Sequence, residues 1–165
     1  NNTWCQNNPL GWMHWQPDTG DLALRLFLQR LLQLRAHLAG LFNPELPLDD
    51  KPQRRSGDRG HLWRQWHGVE LASPDWASWS HTLAWSLNDS HQGPLVWCGM
   101  NAYSKTMHFE LPSCSQGWLR VIDTALPPGE DLPSQPEAWL PAGAPLQSRS
   151  LMLLVAAPLL EGRKL

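Results

Sequence analysis

From Leu62 onward, short apolar segments recur at close intervals with turn signals between them, and this rhythm constrains the fold more than any other feature of the chain. In Thr82–Leu87, Leu83, Trp85 and Leu87 alternate with Ala84 and Ser86, the period of a strand buried on one face. In Trp118–Thr124, Leu119, Val121 and Asp123 oppose Trp118, Arg120 and Ile122. Further strands are expected at Leu62–Trp66, Leu95–Asn101, Thr106–Leu111 and Ser148–Ala156. Asn88-Asp89, Gln92-Gly93-Pro94, Tyr103-Ser104-Lys105 and Ser115-Gln116-Gly117 supply turns between them. Short strands at this spacing imply a mainly β chain folded as an antiparallel β-sandwich. Pro127 to Pro145 interrupts the rhythm and is expected to be a long surface loop.

The segment before Leu62 obeys a different period. Leu24, Phe27, Leu31, Leu34, Leu38 and Leu41 are spaced by three and four, which predicts an amphipathic helix over Leu22–Phe42. Arg25, Gln29, Arg30, Gln33 and Arg35 are expected on its other side. Asp18 or Thr19 can cap its start, Asp21 suits the positive end of the helix dipole, and Gly40 and Asn43-Pro44 stop it. Fewer than three heptads is too short for a coiled coil. A broad Leu face needs a surface to pack on, and the remainder of the chain does not read as helical. Residues 44–61, with Pro44, Pro47, Pro52 and a charged run, read as a solvated linker.

With 42% apolar residues among 165, a packed core is within reach. A formal net charge of -2 gives no electrostatic case for nucleic acid or a membrane surface. Apolar runs are too short to span a bilayer. Cys5, Cys98 and Cys114 are odd in number, widely spaced and without a C-x-x-C pair, which fits a reducing compartment better than a disulfide scaffold. No signal peptide is visible, and a start at Asn1-Asn2-Thr3 without Met suggests a piece of something longer.

No catalytic constellation stands up. The seven His show no metal-binding spacing, and neither a G-x-S-x-G elbow nor a Gly-rich phosphate loop occurs. Asp75, Asp89, Glu110 and Asp123 lie in turns or strands, and nothing pairs two of them as glycoside hydrolysis requires. No catalytic residue, metal ligand or cofactor is therefore expected. The unusual feature is 11 Trp, which serve either packing or sugar stacking, because an indole face suits the C–H face of a pyranose. Trp76 and Trp79, three apart in a Pro/Ser-flanked turn, and Trp139 in the Pro-rich stretch are the candidates for stacking.

Asn1-Asn2-Thr3-Trp4-Cys5-Gln6-Asn7-Asn8, followed by Trp12-Met13-His14-Trp15, closely resembles the Asn-Asn-x-Tyr-Cys-Gln-Asp-Asn … Trp-x-Asp-Trp segment of isoamylase-type debranching enzymes, members of the α-amylase superfamily. Trp66-His67-Gly68-Val69, Pro74-Asp75-Trp76 and Ser80-His81-Thr82-Leu83-Ala84 look like the opening of that family's C-terminal domain. Met100-Asn101-Ala102-Tyr103, Phe109-Glu110-Leu111-Pro112 and Trp118-Leu119-Arg120-Val121-Ile122-Asp123-Thr124 are similar to its later strands.

The resemblance implies that residues 1–43 are the end of a (β/α)8 barrel, loop plus last helix, and that 62–165 are the C-terminal β-sandwich. Leu24, Phe27, Leu31, Leu34 and Leu38 would then face the barrel. Without the barrel, the helix is expected to self-associate or to dock on the sandwich. The opening loop would border the active cleft, so Asn2, Trp4, Gln6 and Asn7 are the implied substrate-binding residues. The family's catalytic carboxylates precede this loop, and none falls on this chain, which alone should be inactive. Asn7 and His14 stand where the family has Asp, so the parent is either an active enzyme or a divergent, non-catalytic isoform. The implied partners are an α-glucan such as glycogen or amylopectin, reached through the parent, and the upstream barrel. The implied site is the cytoplasm, or the plastid stroma in a plant or alga.

Overall fold

A computed structural model describes residues 4–12, 15–41 and 61–161. Its elements are helix α1 (Thr19–His37) and strands β1 (Leu62–His67), β2 (Thr82–Asp89), β3 (Gly93–Asn101), β4 (Met107–Glu110), β5 (Trp118–Asp123), β6 (Glu137–Trp139), β7 (Gly143–Leu146) and β8 (Ser150–Ala156). One sheet runs β1-β2-β3-β8-β5-β6, a second pairs β4 with β7, and every pairing is antiparallel. The result is a lopsided sandwich, mainly β as the strand rhythm implies.

Strand alternation sorts the core into two layers. On one face of the large sheet, Ala84, Trp97, Trp118, Met152 and Leu154 pack with Phe109, Ala144 and Leu146 of the small sheet. Trp97 meets Phe109 edge-on, centroids 6.0 Å apart, a favoured arrangement of the two ring quadrupoles. Gly99 leaves room for that indole, because a Cβ there would run into the Trp97 ring. On the opposite face lie Leu87, Val96, Val121 and Val155. The strict alternation expected for β5 breaks between Arg120 and Ile122, where a register shift leaves Ile122 opposite Leu153. Ile122 thus joins the same layer as Leu119 and Val121 instead of opposing them.

That second face is covered by α1. Asp18 and Asp21 form a reciprocal capping box at its start, with Asp21 N–H donating to Asp18 Oδ1 at 2.8 Å. Leu34 and Leu38 are buried among the sheet's residues, with Phe27, Leu31 and Leu41 packed beside them. In this chain Phe27, Leu31, Leu34 and Leu38 thus pack on the sheet. The sheet's own uncovered face is the nearest apolar surface, and burying a Leu there is worth about 1.5–3 kcal/mol. Docking on the sandwich is the outcome of the two anticipated for an unaccompanied helix. Leu24 remains exposed. Arg30, expected on the polar side, instead donates from Nη1 to Leu132 O at 2.7 Å and Gly129 O at 3.1 Å.

The Pro-rich stretch is also corrected. It contains β6 and β7, and Leu132 is fully buried in the core beneath α1. Pro145 sits exposed in β7, an edge strand of a two-stranded sheet, where a missing N–H costs no ladder bond. Residues 44–60 of the expected linker lie outside the described residues. No helix among the described residues is long and apolar enough to cross a membrane.

Candidate functional site

The β1–β2 connection, residues 68–81, is shaped by buried polar chemistry. Gly68 lets the chain fold back on itself, since a Cβ would run into the carbonyl of Ser73. His67, buried at the end of β1, accepts the Ala72 N–H at Nδ1 (2.8 Å), which leaves Nε2 to donate to Ser86 Oγ at 2.9 Å. Ser86 in turn bonds Asn88, whose Nδ2 lies 3.0 Å from its Oγ. Burial pushes the His67 pKa below its ordinary value, so the imidazole is held neutral with its proton directed at Ser86. An imidazole that donates to a serine cannot act as that serine's base, so the pair organises the loop and is not a nucleophilic dyad. Glu110 pins the same loop from β4: its N–H donates to Val69 O, and its Oε2 accepts the Leu71 N–H at 3.0 Å.

Beyond Ala72 the loop presents two indoles. Asp75 Oδ1 accepts the Ala77 N–H at 3.0 Å, and Ser80 N–H donates to Ala77 O at 2.9 Å, closing a tight turn around Trp76 and Trp79. Trp76 rests edge-on against Trp66 with centroids 5.6 Å apart, and the Arg64 guanidinium lies 4.8 Å over the Trp66 ring. Both presented indoles stay open to solvent, Trp76 at 65% and Trp79 at 72% of full exposure.

Across from them stands the β3–β4 turn. Buried Asn101 holds it, directing Nδ2 at the carbonyls of Lys105, Leu146 and Gln147 (2.8, 3.1 and 2.8 Å) while Oδ1 takes the Tyr103 N–H at 3.0 Å. Tyr103 is thereby placed against the His81 ring, centroids 4.9 Å apart. Between the two loops lies a cleft of about 310 Å³, lined by Glu70, Ser73, Asp75, Ser80, Thr82 and Tyr103 among others, and by no Lys or Arg. A second, more open cleft of about 490 Å³ lies at Met100, Asn101, Ala102, Thr124, Arg149, Ser150 and Leu151 and has no aromatic wall.

The remaining sequence candidates fall elsewhere. Trp139 is half-buried, donates its indole N–H to Gly143 O at 3.2 Å and packs against the inter-sheet core. Its indole N–H is thus engaged within the chain, unlike the open indoles of Trp76 and Trp79. Asn2 lies outside the described residues, as does His14. Trp4, Gln6 and Asn7 are exposed in the opening loop. Gln6 Oε1 accepts from Asn8 Nδ2 at 2.9 Å, and Asn7 Oδ1 accepts from Trp12 Nε1 at 2.8 Å. Nothing in the described structure encloses this loop.

Sequence reasoning missed Tyr103 and Ser80 as members of a site. Tyr103 is the only Tyr of the chain and heads a turn, a signal available but not used. Glu70 and Asp75 line one cleft but are both solvent-exposed, without the apolar enclosure that poises a glycosidic acid at neutral pH. Among the described residues, no group of three or more His, Cys, Asp or Glu is arranged to hold a metal.

Comparison with known proteins bears on this geometry. Residues 65–141 match the family described as Isoamylase 1-3, C-terminal. The chain is 34% identical over 83 residues to a glycogen debranching enzyme of Pectobacterium atrosepticum, covering 50% of this chain and 11% of that protein. It is 30% identical over 89 residues to a glycogen debranching enzyme of Dickeya chrysanthemi, covering 54% of this chain and 12% of that protein. The matched segment thus spans little more than a tenth of these curated relatives. The antiparallel strands β1 to β6 fall largely within the segment that matches this C-terminal family. Over residues 65–141 the chain is similar to the C-terminal part of isoamylase-type debranching enzymes.

Proposed function

We propose that this chain is the C-terminal brace of an enzyme that hydrolyses α-1,6 branch linkages in glycogen- or starch-like glucans, and that it supplies no catalytic carboxylate itself. The observation that carries the bracing role is where the unpaid apolar surface lies. Nine of the thirteen large apolar side chains exposed among the described residues fall between Trp4 and Leu32. Leu24, Leu28 and Leu32, spaced by four, form one stripe along α1 beside the face docked on the sheet. A helix that buries one face on the sandwich and offers another is suited to joining two bodies, and contiguous exposed apolar surface marks an interaction site. In this reading the second body is the catalytic barrel of the parent, and residues 44–61 link barrel and sandwich. The branch-cleaving activity is supported by the names of the matched relatives.

The test is a triple substitution, Leu24→Gln with Leu28→Gln and Leu32→Gln. In the isolated chain it should lower the melting temperature only slightly, far less than loss of Leu34, and reduce self-association in sedimentation velocity. In the whole protein it should lower the melting temperature and weaken activity on amylopectin. A whole protein indifferent to the triple substitution rejects the brace. Reducing-sugar release from glycogen, amylopectin or pullulan by the isolated chain, above a buffer blank, rejects the absence of catalysis.

A further inference from the structure

We infer that the cleft between the β1–β2 loop and the β3–β4 turn is a binding site for a neutral α-glucan chain, with Trp76 and Trp79 as stacking platforms and Tyr103 and Ser80 as polar contacts. The inference rests on the reading of the parent as an α-glucan enzyme for the anomeric class of its ligand; the site itself is argued from geometry.

Two large indoles are left in water where a soluble fold ordinarily hides them. They are held firmly. Trp76 is propped edge-on by Trp66, Trp66 is overlain by Arg64, and the turn carrying both indoles is closed by the Asp75 and Ser80 hydrogen bonds. Most of each indole nevertheless stays open to solvent, which is what stacking on a pyranose ring requires. Preorganisation of this kind lowers the ordering cost that a weak ligand must overcome.

The adjacent cleft supplies the complementary half. Asp75 and Ser80, chain neighbours of Trp76 and Trp79, line it together with Ser73, Thr82, Glu70 and Tyr103. Hydroxyls that both donate and accept, beside carboxylates that accept, match the mixed demand of sugar hydroxyls. The lining holds carboxylates and no Lys or Arg, which disfavours phosphorylated or otherwise anionic ligands. A cleft of about 310 Å³, open along one side, holds part of a chain and not a whole branched particle. The apolar stripe on α1 and this site are therefore separate surfaces with separate chemistry: one is aliphatic, the other aromatic and polar.

The experiment is affinity electrophoresis of the chain in native gels containing glycogen, with maltoheptaose titration of tryptophan fluorescence as a second readout. Wild-type chain should be retarded by glycogen and should respond to maltoheptaose but not to cellohexaose. Trp79→Ala should weaken binding about tenfold, and Trp76→Ala similarly. Trp79 is nearly bare, so its variant should melt with the wild type, which separates loss of the site from loss of the fold. Absence of retardation in the wild type overturns the site. So does equal retardation of wild type and both Trp variants, since binding would then lie elsewhere. Equal response to cellohexaose overturns the α-glucan class. If the whole protein opens branches while the chain binds no glucan, this inference falls and the proposed function stands. Binding by the chain with no branch cleavage by the whole protein gives the reverse.

Discussion

Leu34→Ala should cost the chain about 3 kcal/mol, and Leu28→Ala at most about 1 kcal/mol, although both residues lie on the same helix and differ by six positions. Leu34 is 2% exposed and sits in the cluster that joins α1 to Leu87, Val96 and Val155, so truncation removes its transfer energy and leaves a cavity. Leu28 is 48% exposed and makes no part of that cluster. Leu and Ala have similar helix propensity, so the backbone term is nearly equal and the contrast isolates docking. For a chain of this size, about 3 kcal/mol corresponds to a fall in melting temperature of about 6 to 12 °C. In urea, with a slope of about 2 kcal/mol/M, the midpoint should drop by about 1.5 M with the slope unchanged. The assay is urea unfolding followed by far-UV circular dichroism and by tryptophan fluorescence, whose transitions should coincide. Equal, small effects from both substitutions would refute the docking of α1 on the sheet. So would a helix that melts before the sandwich.

Other expectations follow from single buried groups. Asn101→Asp should destabilise by about 3 kcal/mol or more in thermal unfolding, because a carboxylate would replace the amide donor aimed at three carbonyls. His67 has a folded pKa below its ordinary 6.5, so the unfolded chain binds the extra proton between the two values. Its contribution to stability should be complete above about pH 6.5 and shrink as pH falls from there towards the folded value; His67→Gln should flatten that part of a stability–pH curve, and an unchanged slope would refute the assignment. Cys98 is buried with its thiol pKa raised to about 12, whereas Cys5 is exposed. Iodoacetamide at neutral pH should therefore modify Cys5 and spare Cys98 until the chain unfolds, as read by peptide mass spectrometry.

Local pattern was enough to determine that the regular structure of the described residues opens with an amphipathic helix and continues largely as strands. The three-and-four spacing of Leu31, Leu34 and Leu38 and the alternation of Leu83, Trp85 and Leu87 are short-range properties of the backbone period. The stops and starts were legible for the same reason, as with the Asp18 cap. The strand motifs between Trp66 and Thr124 carried the resemblance to the family matched over residues 65–141. Trp76 and Trp79 could be singled out because large aromatics beside turn residues are conspicuous.

What surrounds each element is a property of the tertiary structure. The apolar stripe of α1 states that Leu34 and Leu38 will be buried, but not whether a barrel or a sheet will bury them; only the uncovered face of β2, β3, β5 and β8 decided that. Arg30 falls on the docked side because carbonyls of a loop almost a hundred residues away converge on it. Pro145 disguised β7 because proline opposes a strand only where its N–H is needed, and edge position is not encoded locally. Trp139 and Trp79 look alike in sequence, yet one packs half-buried against the inter-sheet core and the other stands in water. The cleft exists because the hydrogen bonds of Asn101 and His67 fold two separate loops toward each other, and such long-range pairing leaves no period in the chain.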